Sequence, residues 1–117
     1  SLAESRISLF RFRWAGSIRF LHKEVLRFRG EIMTIEDWRA KIDAIDKKLL
    51  QLLSERAEHA IAVGKLKGER NMQVLDPERE RQIIQNILRE NKGPLDSDSV
   101  RRIFERIIEE CRRIEQS

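Results

Sequence analysis

From Thr34 to Leu66 apolar side chains return at alternating steps of three and four: Ile35, Trp38, Ile42, Ile45, Leu49, Leu52 and, after a gap, Val63 and Leu66. That spacing keeps one stripe on a helix, whereas a half-buried strand would alternate every second residue. Thr34-x-x-Asp37 has the form of a capping box at its start, and Met33 and Trp38 occupy the positions of a hydrophobic staple. A span of roughly 33 residues at about 1.5 Å each gives a helix of about 50 Å. Gly68 to Gln73 carries no periodic signal and is expected to be a loop. Asp76-Pro77 then supplies an N-cap and a first-turn proline, with Glu78 and Glu80 near the positive end of the helix dipole. The second helix carries Ile83, Ile84, Ile87 and Leu88 and ends before Gly93-Pro94; Asp96 to Ser99 offers caps for a third, with Val100, Ile103, Phe104, Ile107, Ile108, Cys111 and Ile114 on one face. The pattern predicts an all-α chain of three helices, the first much the longest, with no strand and no internal repeat.

Three helices of unequal length leave the far end of the long one without cover. Small domains bury little surface to begin with, so an exposed apolar seam calls for a partner. Pairing of two copies along the long helix is the expected solution, and a homodimer the expected assembly.

The composition changes at Gly30 to Met33. Before it stand four of the five Phe residues (Phe10, Phe12, Phe20, Phe28) and Trp14, interleaved with Arg and without a helical stripe. Residues 1–32 are therefore expected to be a leader or non-native extension outside the fold, and 33–117 the functional domain. The Arg-rich, acid-poor leader with Ser5, Ser8 and Ser17 resembles a transit peptide; upstream sequence read in frame, with Met33 as the true start, or a membrane-surface or nucleic-acid arm are the alternatives.

Charge reinforces that division. The net charge of +4 lies wholly in residues 1–32, which carry seven Arg or Lys against Glu4, Glu24 and Glu31; the remainder balances 17 basic against 17 acidic residues. A neutral body lacks the one-sign field that phosphate backbones require, so nucleic acid is not an expected partner. With 38% charged and 40% hydrophobic residues the chain is too polar for a membrane protein and too apolar for a disordered one. Cys111 stands alone, so no internal disulfide forms, and no Cys/His cluster has metal-ligand spacing. A cytoplasmic setting with neither metal nor cofactor is the expectation.

The apolar stripes are broken at a few positions, and those breaks carry the chemistry. Steps of seven along the long helix give Ile35, Ile42, Leu49, Arg56, Val63 on one row and Trp38, Ile45, Leu52, His59, Leu66 on the other. Arg56 on the seam is costly unless something pairs with it, either a ligand or, as the structural alternative, Glu55, Glu58 or a carboxylate from another helix. Lys67 comes eleven residues after Arg56, which returns it to within about 20° of the same face and about 16 Å further along. On the second helix Arg79 and Glu80 stand one turn before Ile83 and Ile84; on the third, Cys111 and Glu115 continue the stripe. Cations from one helix and acids from the others point to a pocket for a compact polar anion. Arg39 flanks the same seam about 25 Å before Arg56, too far to reach that pocket in its own chain, but in an antiparallel dimer it can enter the neighbour's.

At these residues the chain resembles the all-helical class of chorismate mutases. The matching text is Trp38-Arg39-x-x-Ile42-Asp43-x-Ile45-Asp46-x-x-Leu49-Leu50-x-Leu52-Leu53-x-x-Arg56, then Val63-Gly64-x-x-Lys67, then Val74-x-Asp76-Pro77-x-Arg79-Glu80, and finally Val100-x-x-Ile103-Phe104-x-x-Ile107-Ile108-Glu109. It covers residues 34–117. The resemblance implies an intertwined homodimer of three-helix chains with two sites, each completed by an arginine from the other chain, and the rearrangement of chorismate to prephenate in phenylalanine and tyrosine synthesis. That reaction is unimolecular and pericyclic, so it is expected to rest on holding the substrate's compact conformer and on stabilising charge that develops on the ether oxygen. A millionfold acceleration corresponds to about 8 kcal/mol.

The roles that the resemblance implies are specific. Arg56 and the partner chain's Arg39 bind the two carboxylates, where a planar fork suits bidentate contact. Lys67 bridges a carboxylate and the ether oxygen, Glu80 and the backbone at Asp76 hold the ring hydroxyl, and Arg79 supports the wall. Two positions depart from the best-known bacterial pattern: Cys111 replaces a common serine and is a weaker donor, and Glu115 replaces a common glutamine and donates to the ether oxygen only when protonated. An isochorismate pyruvate lyase of the same fold, or a non-catalytic helical dimer whose charged breaks are ion pairs fixing register, are the competing readings.

Overall fold

The computed structural model describes residues 18–22 and 25–116. Three strands, β1 (Ile18–His22), β2 (Val25–Phe28) and β3 (Glu31–Thr34), precede three helices, α1 (Ile35–Glu69), α2 (Pro77–Glu90) and α3 (Ser97–Glu115). The described residues fall into two compact units with the boundary between Lys48 and Leu49, inside α1. None of the described helices is long and apolar enough to cross a membrane.

The strands correct the expectation of a chain without β structure. They form one antiparallel sheet in the order β1-β2-β3, with Arg27 opposite Ile32 and Phe28 opposite Glu31. The β2–β3 loop is Arg29-Gly30, with φ of +52° and +84°. A two-residue hairpin loop with both φ positive matches the right-handed twist of the strands, and Gly30 takes that conformation without a Cβ penalty. Arg29-Gly30 is not the Asn-Gly or Asp-Gly pair that announces such a turn, and the two-residue alternation of Ile18-Arg19-Phe20 and Leu26-Arg27-Phe28 is short beside the helical stripes that follow.

Strand β3 runs directly into α1, and the capping box forms as its residues predict. Asp37 N–H donates to Thr34 Oγ1 at 3.2 Å, while Thr34 N–H donates to Asp37 Oδ2 at 3.0 Å. The Thr34 backbone N–H, and after it the Thr34 hydroxyl, hold the Asp37 carboxyl below the usual carboxylate range. Met33 is buried, and the Trp38 ring meets Phe28 edge-on, centroids 5.1 Å apart at 63°. The Trp38 indole Nε1 is buried with no acceptor among the described residues.

In the second unit, capping again sets where helices begin. Asp76 Oδ1 accepts from Arg79 N–H at 3.1 Å with Pro77 opening α2, and Asp96 Oδ1 accepts from Ser99 N–H at 2.7 Å at the start of α3. The Ser99 backbone N–H first, and its hydroxyl second, hold the Asp96 carboxyl below its ordinary range. Between them Asn91 closes the turn, its Nδ2 donating to Leu95 O at 2.9 Å and its Oδ1 accepting from Gly93 N–H at 2.9 Å. The buried core residues of this unit, Val100, Ile108 and Cys111, all belong to α3.

Helix α1 continues through Gly68 to Glu69, further than the expected loop at Gly68–Gln73 allows. A glycine inside a helix costs only about 1 kcal/mol, and here Asn71 at φ +55° provides the left-handed stop. Met72 N–H then takes the carbonyl of Lys67 at 2.8 Å. None of the helix's 35 residues is buried, and Ile42, Ile45, Leu49 and Leu52 are each more than half exposed.

Candidate active site

The approach of α1 to α3 is set by a residue without a side chain. A Cβ on Gly64 would lie 2.9 Å from the backbone oxygen of Glu115 and 3.3 Å from its Cα, closer than packed atoms tolerate. Only glycine permits this crossing, and one turn later the crossing brings Lys67 against the end of α3. Lys67 Nζ donates to Val74 O at 2.8 Å and to Glu115 Oε2 at 3.3 Å, with both side chains about nine-tenths removed from solvent (14% and 13% exposed). The ammonium thus retains a fixed backbone anchor whatever happens to its carboxylate partner.

The second wall comes from α2. Capping by Asp76 starts the helix so that Glu80 faces inward, and there Arg112 of α3 holds it: Nη1 donates to Oε1 at 2.9 Å and to Oε2 at 2.7 Å. These groups enclose a cavity of about 370 Å³ together with Arg56, His59 and Val63 of α1 and Arg79 of α2. That volume lies within the range of small-ligand sites. Ile83, Ile108 and Cys111 supply an apolar floor. Among the described residues no cluster of His, Cys, Asp and Glu has the arrangement to hold a metal ion.

The balance of charge favours an anion. Four cationic side chains (Arg56, Lys67, Arg79, Arg112) and three carboxylates (Asp76, Glu80, Glu115) line the cavity. Glu80 is spoken for by Arg112 and Glu115 by Lys67, while Asp76 caps α2. The structural alternative for Arg56, a pair with Glu55 or Glu58, is not made: Glu55 lies 3.9 Å from His59, and Arg56 has no ion pair among the described residues. A partly buried guanidinium with no partner and a cavity in front of it is an anion-binding group in waiting.

Of the site residues expected from sequence, Arg56, Lys67, Asp76, Glu80, Cys111 and Glu115 line this one cavity, and Arg79 does too. Arg39 is exposed on α1 and does not line it. Arg112 was not expected there. The signal was present, since Arg112 falls four residues after Ile108 and three before Glu115 and so breaks the same inward stripe. Gly64 belongs to the Val63-Gly64-x-x-Lys67 motif, but its role depends on a crossing between helices that spacing along one helix does not reveal.

Comparison with known proteins agrees with this geometry. Residues 38–116 match the family described as chorismate mutase type II. A bifunctional chorismate mutase/prephenate dehydratase from Neisseria gonorrhoeae is 46% identical over 78 residues, covering 67% of this chain and 21% of that protein. The chain spans about a fifth of the length of the curated relatives it matches. Among solved structures, a chorismate mutase from Thermus thermophilus superposes with a TM-score of 0.69 at 29% identity, over 70% of this chain and 93% of that one. A chorismate mutase from Helicobacter pylori in complex with prephenate gives 0.65 at 26% identity, over 70% and 89%. Since the family match takes in α2, α3, all but the first three residues of α1 and every residue that lines the cavity, the chain belongs to the chorismate mutase type II family.

Proposed function

We propose that this chain catalyses the rearrangement of chorismate to prephenate, as an isomerase of phenylalanine and tyrosine synthesis. One observation carries the reading: Arg56, without an ion pair among the described residues, and anchored Lys67 line the same cavity as Glu80 and the apolar Ile83 and Ile108. A dicarboxylate with a ring hydroxyl and an ether oxygen matches that set. Arg56 takes one carboxylate through its planar fork. Lys67, steered by Val74 O, reaches a carboxylate and the ether oxygen, and Glu80 with the Asp76 backbone accepts the hydroxyl. As the C–O bond breaks and the C–C bond forms, negative charge builds on the ether oxygen beside an ammonium that needs no reorganisation. Glu115, released from Lys67 by the incoming substrate, faces the same oxygen, to which only its acid form donates; Cys111 lends a weak contact.

The site is completed by a second copy in this reading. Helix α1 buries none of its own residues, and its seam of Ile42, Ile45, Leu49 and Leu52 is the surface of an intertwined homodimer in which Arg39 enters the partner's site and binds the other carboxylate. Residues 1–32 take no part in catalysis, because every group lining the cavity lies after Met33. The enzyme works in the cytoplasm.

Incubation of the purified protein with chorismate tests the proposal: chorismate disappears and prephenate replaces it in equal amount. Release of pyruvate from isochorismate in place of that conversion would identify a lyase, and no turnover of either substrate would leave a non-catalytic helical module.

A further inference from the structure

Glu80 is gripped by a side chain to which the proposed mechanism gives no role. Arg112 points from α3 into the wall of the cavity, and a single nitrogen, Nη1, serves both Glu80 oxygens at 2.9 and 2.7 Å. Both side chains are less than a third exposed, so the pair is neither a fully solvated surface contact nor a buried one. An ionised carboxylate has about four lone-pair positions, and Arg112 occupies one on each oxygen, which leaves acceptor capacity directed at the cavity.

We infer that Arg112 is a positioning residue for the reaction: it fixes the Glu80 carboxylate in the orientation that accepts the substrate hydroxyl and cancels its charge toward a dianionic substrate. The inference rests on the mutase reading above. The physical need is plain, because an uncompensated carboxylate in the wall of a site for a dianion repels the ligand it is meant to hold. Without Arg112, Glu80 also gains rotamers, and fixing them on binding weakens affinity. Since one nitrogen makes both contacts, the charge and its placement matter more than the guanidinium fork, and a lysine at 112 retains much of the function.

A double-mutant cycle between positions 80 and 112 decides the matter, read as KM and kcat for chorismate with thermal unfolding as a check of the fold. Arg112→Ala is expected to raise KM by about 30-fold with kcat changed little, because an interaction present in both ground and transition states acts through binding. Arg112→Lys is expected to stay within about threefold of wild type. In a Glu80→Gln background the further change Arg112→Ala is expected to cost less than about twofold, since the group it serves is already neutral. Additive losses, a lysine variant as impaired as the alanine one, or a loss confined to kcat and melting temperature would overturn the inference while leaving Glu80 as a binding group. A silent Glu80→Gln overturns the reading of the site and this inference with it. If Arg112→Ala does not fold, Arg112→Met keeps the aliphatic stem and completes the cycle.

Discussion

The strands of residues 18–34 and the helices of residues 35–116 follow different periods, and charge means different things in each. In the strands basic residues alternate with apolar ones, as in Ile18-Arg19-Phe20 and Leu26-Arg27-Phe28. A two-residue period produces that alternation by itself, so a charge there carries no message about chemistry. In the helices the stripe is set by steps of three and four, and a charge at Arg56, Lys67, Glu80, Arg112 or Glu115 breaks it. All five side chains line one cavity. A charge that violates its element's period is therefore worth more as evidence than one that obeys it.

The sharpest way to break that contrast is to remove a charge from the helical stripe. Arg56→Ala is expected to lower kcat/KM by at least about a hundredfold, the scale of losing one preorganised charge contact in a transition state. Arg39→Ala is expected to be equally damaging although Arg39 lies outside the cavity of its own chain. If each site takes Arg56 from one chain and Arg39 from the other, a dimer of the two variants carries both lesions in one site and none in the other. Random exchange makes half of the dimers mixed, so about a quarter of normal activity returns on mixing two inactive proteins. No recovery after verified subunit exchange would exclude the cross-chain role of Arg39 and confine the site to the residues of one protomer.

A smaller effect is expected at Gly64. Its missing Cβ sets the α1–α3 crossing that lets Lys67 meet Glu115, and the clash in Gly64→Ala is with backbone that cannot swing aside. Overpacking of this kind costs about 1–3 kcal/mol. Melting temperature and kcat/KM are expected to fall together, and an unchanged melting temperature would show that α3 moves away freely.

These cases also mark what was legible in the chain. Thr34-x-x-Asp37, Asp76-Pro77 and Asp96-x-x-Ser99 announce helix starts through short-range chemistry, and all three caps form. The polar breaks on α1, α2 and α3 were legible for the same reason, because each is a departure from a local period. Arg112 sat on the stripe as plainly as Arg56, but only its meeting with Glu80, thirty-two residues away, gives it significance. The sheet carries no such local signal, because its turn uses Arg29-Gly30 and its strands are short, whereas the mismatch of helix lengths already points to an exposed seam on α1.

Glu115 sharpens the comparison within the site itself, between a charge left open to the ligand, as at Arg56, and one already held by another side chain. Its carboxylate accepts from Lys67 at 3.3 Å, whereas a glutamine in its place carries an N–H donor toward an ether oxygen. Glu115→Gln supplies that donor and is expected to raise kcat. It also frees Lys67 from the contact at 3.3 Å, so KM is expected to drop as well. A change in KM with kcat unaltered would mean that Glu115 serves only to hold Lys67.

The smallest effect is expected from removing the strands. A chain beginning at Met33 loses β1 and β2, and with them the edge-on contact of Phe28 with Trp38. It keeps the capping box, since both of its hydrogen bonds run between Thr34 and Asp37. An aromatic pair is worth about 0.5–1.5 kcal/mol beyond its buried area, and the Trp38 indole N–H, buried without an acceptor among the described residues, gains water in exchange. The two changes oppose each other, so the melting temperature is expected to move by only a few degrees, about 4–8 °C for each kcal/mol in a domain of this size. Turnover per folded site is expected to be unchanged, because no charge that lines the cavity is touched. A large loss of kcat/KM at unchanged melting temperature would show that the alternating residues of the strands do carry chemistry, and that obeying the local period is no guarantee of silence.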